Sequence, residues 1–121
     1  MFYSIQAQND LPLLRVSLRG FWTMDIFNAY MRDCGAAIGA LVARHGRFDT
    51  LGDCTDFAIQ GPDVSAAFQH LKTMSDKTPQ NRIALYSPSP LSRKQAERTV
   101  ANAHSKVFHS EAAALEWLGL Q

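Results

Sequence analysis

Strict alternation governs the first twenty residues. Tyr3, Ile5 and Ala7 oppose Ser4, Gln6 and Gln8; beyond turn signals at Asn9-Asp10-Leu11-Pro12, Leu14, Val16 and Leu18 oppose Leu13, Arg15, Ser17 and Arg19. Period two predicts strands over Phe2 to Gln8 and Leu13 to Phe21, paired as a hairpin with one buried face and one at least partly wet. The period then lengthens. Met24, Phe27, Met31, Cys34, Ile38 and Leu41 recur every three or four residues, which predicts a long helix from about Thr23 to Ala43, with Thr23 as N-cap. Gly46 is expected to end it in a left-handed conformation. Gly35 and Gly39 lie inside this helix, where each glycine costs about 1 kcal/mol against alanine. Close packing against a strand or another helix would offset that cost.

Short apolar runs and helical stripes then alternate. Strands are predicted at Phe48 to Cys54, Asn81 to Ser87 and Lys106 to His109. A helix at Pro62 to Met74 buries Val64, Ala67, Phe68 and Leu71, with Pro62 at the first helical position, where its missing N–H costs nothing. A third helix opens at Pro90 and runs to about His104, its thin apolar side made of Leu91, Ala96, Val100 and Ala103. Ser110 caps a last helix that docks through Leu115, Trp117 and Leu118 before Gly119. The order β-β-α-β-α-β-α-β-α predicts one α/β domain over residues 1–121. Its expected architecture is two-layered, with a mixed, mostly parallel five-stranded sheet and helices mainly on one face.

Composition narrows the classes. The chain has 121 residues, 46% hydrophobic and 19% charged, as ordinary globular domains do. Twelve basic and eleven acidic side chains leave a formal charge of +1, so no strong field implies nucleic acid or an anionic membrane. No apolar run nears the ~20 residues of a membrane span, and Met-Phe-Tyr-Ser-Ile-Gln lacks a signal-peptide core, which predicts a cytoplasmic protein without membrane insertion. The two cysteines, Cys34 and Cys54, have no metal or redox spacing and read as reduced, buried apolar residues.

Two stretches carry a resemblance. Leu51-Gly52-Asp53-Cys54-Thr55-Asp56-Phe57 precedes the second helix, and Lys106-Val107-Phe108-His109-Ser110 leads into the helix ending Ala114-Leu115-Glu116-Trp117-Leu118. With the element order, these cover nearly the whole domain, which resembles the SpoIIAA-like or STAS-like fold. That group includes bacterial anti-sigma-factor antagonists and the cytoplasmic domain of sulfate transporters. The resemblance implies a non-enzymatic regulatory module acting through protein contacts, expected to be a homodimer. In the antagonists, the loop before the second helix holds Asp-Ser-Ser-Gly or similar, and one serine is phosphorylated. Here Gln60-Gly61-Pro62-Asp63 stands instead, with Thr55 upstream, so the resemblance predicts a branch without the phosphoswitch. The expected partner- or ligand-binding residues are Asp53, Thr55, Asp56, Phe57, Gln60, Gly61, Ser87 and Ser89, at the carboxyl ends of strands, where open α/β sheets bind ligands.

Other chemistry is weighed by residue type. Asp53 and Asp56 have the functional reading of acid, base or cation ligand, but aspartates at such positions more often hydrogen-bond turn amides. Ser87, Ser89, His109 and Asp53 make a triad only on paper, without a Gly-x-Ser-x-Gly elbow. His45, His70, His104 and His109 do not converge in the predicted order, and no cofactor is expected. Arg93, Lys94, Arg98 and Lys106 form a basic cluster, read as a solvated face. Arg15, Arg19, Arg82 and Tyr86 alternate outward, and their types suit anchors of self-association. The alternative function is a carrier of a small apolar ligand in a cavity lined by Phe27, Met31, Phe57 and Phe68.

Overall fold

The structure, a computed structural model, describes residues 2–8, 10–74, 80–99 and 104–120. Among them, alternation yields strands β1 (Tyr3–Gln8), β2 (Leu13–Gly20), β3 (Phe48–Phe57), β4 (Gln80–Tyr86) and β5 (Ser105–Phe108). The longer period yields helices α1 (Met24–His45), α2 (Pro62–Met74), α3 (Pro90–Thr99) and α4 (Glu111–Leu118). The strands form one mixed sheet in the order β1-β2-β3-β4-β5; β1 runs antiparallel to β2, and the remaining neighbours pair parallel. Because each crossover from β2 onward steps to the next strand in the same direction with the same hand, α1, α2 and α3 gather on one face. Leu18, Cys54, Ile83 and Leu85 of that face meet Phe27, Val64, Phe68 and Ala96 of the helices. Beside them, Leu14, Val16 and Phe48 pack with Cys34 and Leu41 of α1.

The other face is shared between a helix and polar side chains. After β5 the chain turns back, and α4 lays Ala114 and Leu118 on Leu13, Leu51 and Ala84. The outward arginines hold it there. Arg82 donates to the carbonyls of Trp117 and Leu118, each at 2.9 Å, and its Nη2 lies 3.7 Å from a carboxylate oxygen of Asp49. Arg15 pairs with Glu111 at 2.9 Å, and Tyr86 reaches the same carboxylate at 3.5 Å. These three, expected as anchors of self-association, are therefore engaged within the chain. The physical reason is that α4 brings a carboxylate in its first turn and unpaired carbonyls in its last turn over the sheet face, and both attract the cations there.

Several local expectations are corrected. β3 runs three residues past Cys54 because it keeps pairing with Arg19 and Gly20, so Thr55, Asp56 and Phe57 are strand residues. Gly35 and Gly39 are exposed, and a Cβ built on either meets nothing within 4 Å; they pack against neither strand nor helix. Gly46 closes α1 through its N–H to the carbonyl of Val42, but with φ +81° and ψ −47°, outside the left-handed helical basin. That conformation still favours glycine. The predicted continuation of α3 through Val100 and Ala103, and the turn position Asn9, lie outside the described residues; His104 itself is in a turn. None of the described helices is long and apolar enough to cross a membrane.

Candidate functional site

The carboxyl ends of β2 and β3 lie side by side and release two short connections, Phe21 to Thr23 and Ala58 to Gly61. Gln60 ties them together. Its side chain is buried; Oε1 accepts from the backbone N–H of Trp22 at 2.8 Å, while Nε2 donates to the carbonyls of Gly20 at 2.9 Å and Ala58 at 2.6 Å. One amide thus satisfies three backbone groups that the strands leave behind, which buried polar groups require. Below this brace, Trp22 fills the core end. Its indole is fully buried and touches Tyr30, Phe57 and Phe68 at centroid distances of 5.1, 5.4 and 5.8 Å, and its Nε1 donates to the carbonyl of Arg19. Phe27 and Phe68 meet edge to face at 5.1 Å, with Met31 packed on the same cluster. The side chains expected to line an apolar cavity here, Phe27, Met31, Phe57 and Phe68, belong to one cluster, with Phe57 and Phe68 edge to face at 5.9 Å.

The expected site residues divide into structural and exposed groups. Asp53 is inside β3, between Ser17 of β2 and Tyr86 of β4, and its Oδ1 accepts from the N–H and the hydroxyl of Thr55 at 2.9 and 2.6 Å. Phe57 is buried in the aromatic cluster. Gly61 offers its carbonyl to the N–H of Ser65, starting α2. Ser87 is wholly buried; its N–H donates to the carbonyl of Phe108, and its Oγ accepts from the N–H of Ser89. Ser89 in turn accepts from Ser92 N–H in the first turn of α3. Asp56 alone of the eight is exposed, at the end of β3 opposite Arg19.

Charge and protonation follow packing. Burial pushes the thiol of Cys54 up to about 12 and that of Cys34 up to about 11, so both remain protonated. Burial, with the Asp53 carboxylate and then Glu111 nearby, raises the Tyr86 phenol to about 12. Of the basic cluster, Arg93 of α3 donates to the carbonyls of Ser87 and Pro88, and Lys106 of β5 lies 5.6 Å over the ring of Phe108. Among the described residues no group of three His, Cys, Asp or Glu side chains is placed to hold a metal ion.

What the sequence reading missed is an apolar edge. Among the described residues, the large apolar side chains left exposed are Phe2 (45%), Phe21 (57%), Ile59 (65%) and Leu91 (68%). All fall at the same end of the sheet: Phe2 before β1, Phe21 after β2, Ile59 after β3 and Leu91 in the first turn of α3. The rings of Phe2 and Phe21 lie over Gly20 and Gly61, where a Cβ would come within 3.2 and 3.4 Å of them. An open groove of about 450 Å³ continues the edge, lined by Phe2, Tyr3, Asp25, Ile26 and Ala29. Phe2 and Phe21, expected within the first two strands, lie just outside them, and Leu91, expected on the buried side of the third helix, is exposed in its first turn. The available signal was position at element ends, where the periodic pattern no longer holds a side chain against the core.

Compared with known proteins, the chain matches no family model, and no curated protein is similar enough to count as a match.

Proposed function

We propose that this chain is a non-enzymatic protein-interaction module of the SpoIIAA/STAS-like type, lacking the phosphoswitch, and that it receives its partner at the edge formed by Phe2, Phe21 and Ile59. The observation that carries the reading is this edge. Among the described residues, four large exposed apolar side chains fall at one end of the sheet, and exposed apolar patches of that kind mark protein contacts. The monotonic strand order with α1, α2 and α3 on one face supports the fold assignment. Two features support the absence of a phosphoswitch. Gln60, at the loop position where a hydroxyl would be needed, is buried as a brace, and the Thr55 hydroxyl already donates to Asp53.

The test compares proteins captured by the wild-type chain with those captured by a Phe21→Ser, Ile59→Ser variant and by an exposed control, Glu116→Gln. Circular dichroism melts confirm that all three fold. A partner held by wild type and control, absent with the edge variant, and rebinding in purified form supports the proposal. Identical capture by all three chains sinks it.

A further inference from the structure

The edge carries charge as well as apolar surface. Asp25 lines the groove beside Phe2 and Ile26. Asp63, in the first turn of α2, brings its Oδ1 within 3.3 Å of a Cβ built on Gly61, while the Phe21 ring lies 3.4 Å from the same point. Asp56, next to last in β3, stands three residues before Ile59, and all three carboxylates are exposed. The cations nearby offset them only in part. Arg19, half-buried with its Nε donating to Ser17, stands opposite Asp56 and away from Asp25 and Asp63, which line Phe2 and Phe21; Arg93 is engaged with carbonyls; Lys94 stands beyond, next to Leu91. The stretch from Phe2 through Phe21 to Ile59 is thus apolar with an acidic rim, and the acidity fades toward Leu91.

We infer that the segment received here is amphipathic, with apolar anchors flanked by lysine or arginine, and that it comes from a partner protein. The inference rests on the interaction reading above and adds the partner's chemistry. Charge complementarity selects that chemistry, since a positive partner meeting a negative rim gains association rate and specificity. The same rim disfavours the other occupants. A second copy in a two-fold contact would set the aspartates against their own images, and an anionic lipid surface would be repelled.

The experiment uses two synthetic helical peptides of about 18 residues, ~27 Å long, with the same leucine stripe; one has a lysine polar face, the other glutamate. Each is titrated into the full ¹⁵N-labelled chain. The lysine peptide should shift the amides of Phe21, Asp25, Asp56, Ile59 and Asp63. It should bind about tenfold more tightly than the glutamate peptide, with affinity falling as salt rises. Asp56→Lys, Asp63→Lys should reverse the preference. Equal binding of both peptides at these residues, lost in Phe21→Ser, Ile59→Ser, overturns the charge inference and leaves the interaction reading standing. So does silence of both peptides while captured partners still depend on the edge. Self-association abolished by Phe21→Ser, or shifts of the same amides with phosphatidylserine vesicles, overturns the choice of occupant.

Discussion

Arg82 holds Trp117 in two ways: its Nη1 donates to the Trp117 carbonyl at 2.9 Å, and its guanidinium lies 5.3 Å over the centre of the indole ring. A helix C-terminus leaves carbonyls without partners, and the planar cation supplies donors there while stacking on the aromatic face. Half of that side chain remains in water, so the contribution is modest. Arg82→Met should lower stability by about 1–2 kcal/mol in urea unfolding, with unchanged m-value. Amide exchange in α4 should accelerate more than in β3. Arg82→Lys should recover little, because an ammonium cannot bridge two carbonyls and stack at once. Uniform acceleration across all elements would show that Arg82 does not hold α4 specifically.

Gln60 predicts a second sensitivity, set by hydrogen-bond chemistry and not by size. Gln60→Leu leaves the Trp22 N–H and the Ala58 carbonyl without the partners seen at 2.8 and 2.6 Å. Ala58 is exposed and its carbonyl can turn to water, but the Trp22 N–H is buried, and one such unsatisfied group costs about 1–3 kcal/mol, which is the loss expected. Gln60→Glu keeps the shape but replaces a donor by an acceptor, opposite two carbonyls. It should destabilise at least as much near neutral pH. A near-neutral result for Gln60→Glu by chemical denaturation would disprove the brace.

Period alone made the elements legible. Leu14, Val16 and Leu18 face the helices, and Thr23 and Ser110 cap α1 and α4 through hydrogen bonds to Ile26 and Ala113. The outer face was harder to read. Alternation assigned Arg15, Arg82 and Tyr86 to solvent, but it carries no information about where a helix after the last strand returns. Leu13, Leu51 and Ala84 were a faint signal of that return, since apolar residues on a wet face need a cover. The edge was hidden for a different reason. Phe21 and Trp22 are adjacent and chemically alike, yet the chain buries Trp22 and exposes Phe21 as it leaves β2. Gln60 read as a loop polar residue because two of its three partners, the Gly20 carbonyl and the Trp22 N–H, lie some forty positions away in sequence.

Alkaline pH should destabilise the fold through its two buried thiols. The Cys54 thiol ordinarily titrates at 9.0 and is held at about 12 by burial; Cys34 is held at about 11. Between those values the folded chain binds more protons than the unfolded one. Stability is therefore full below pH 9 and falls as pH rises through the folded values. Tyr86, raised from 10.0 to about 12, acts in the same direction. The urea midpoint should decline from pH 9 to 11, and Cys54→Ala should flatten that decline even if it lowers the midpoint at pH 7. An equal slope in Cys54→Ala would remove Cys54 as a cause.

Glycines at two places predict opposite outcomes for the same substitution. Gly35 and Gly39 sit mid-helix in α1 with open space where a Cβ would stand. Alanine there reduces unfolded-state entropy and meets no neighbour, so Gly35→Ala and Gly39→Ala should each stabilise by about 0.5–1 kcal/mol. Gly52 lies in β3 facing the helices, where a Cβ would stand 2.7 Å from Cδ2 of Leu85 and 3.4 Å from Val16. Leu85 is 2% exposed and held by the core on every side. Its methyl must move for Gly52→Ala to fit, and overpacking of this kind costs roughly 1–3 kcal/mol. Thermal melts of the three variants decide the matter. Destabilisation by Gly35→Ala or Gly39→Ala would mean that this helix face is covered in the working protein, since an exposed glycine in a helix gains from a methyl group and a packed one does not.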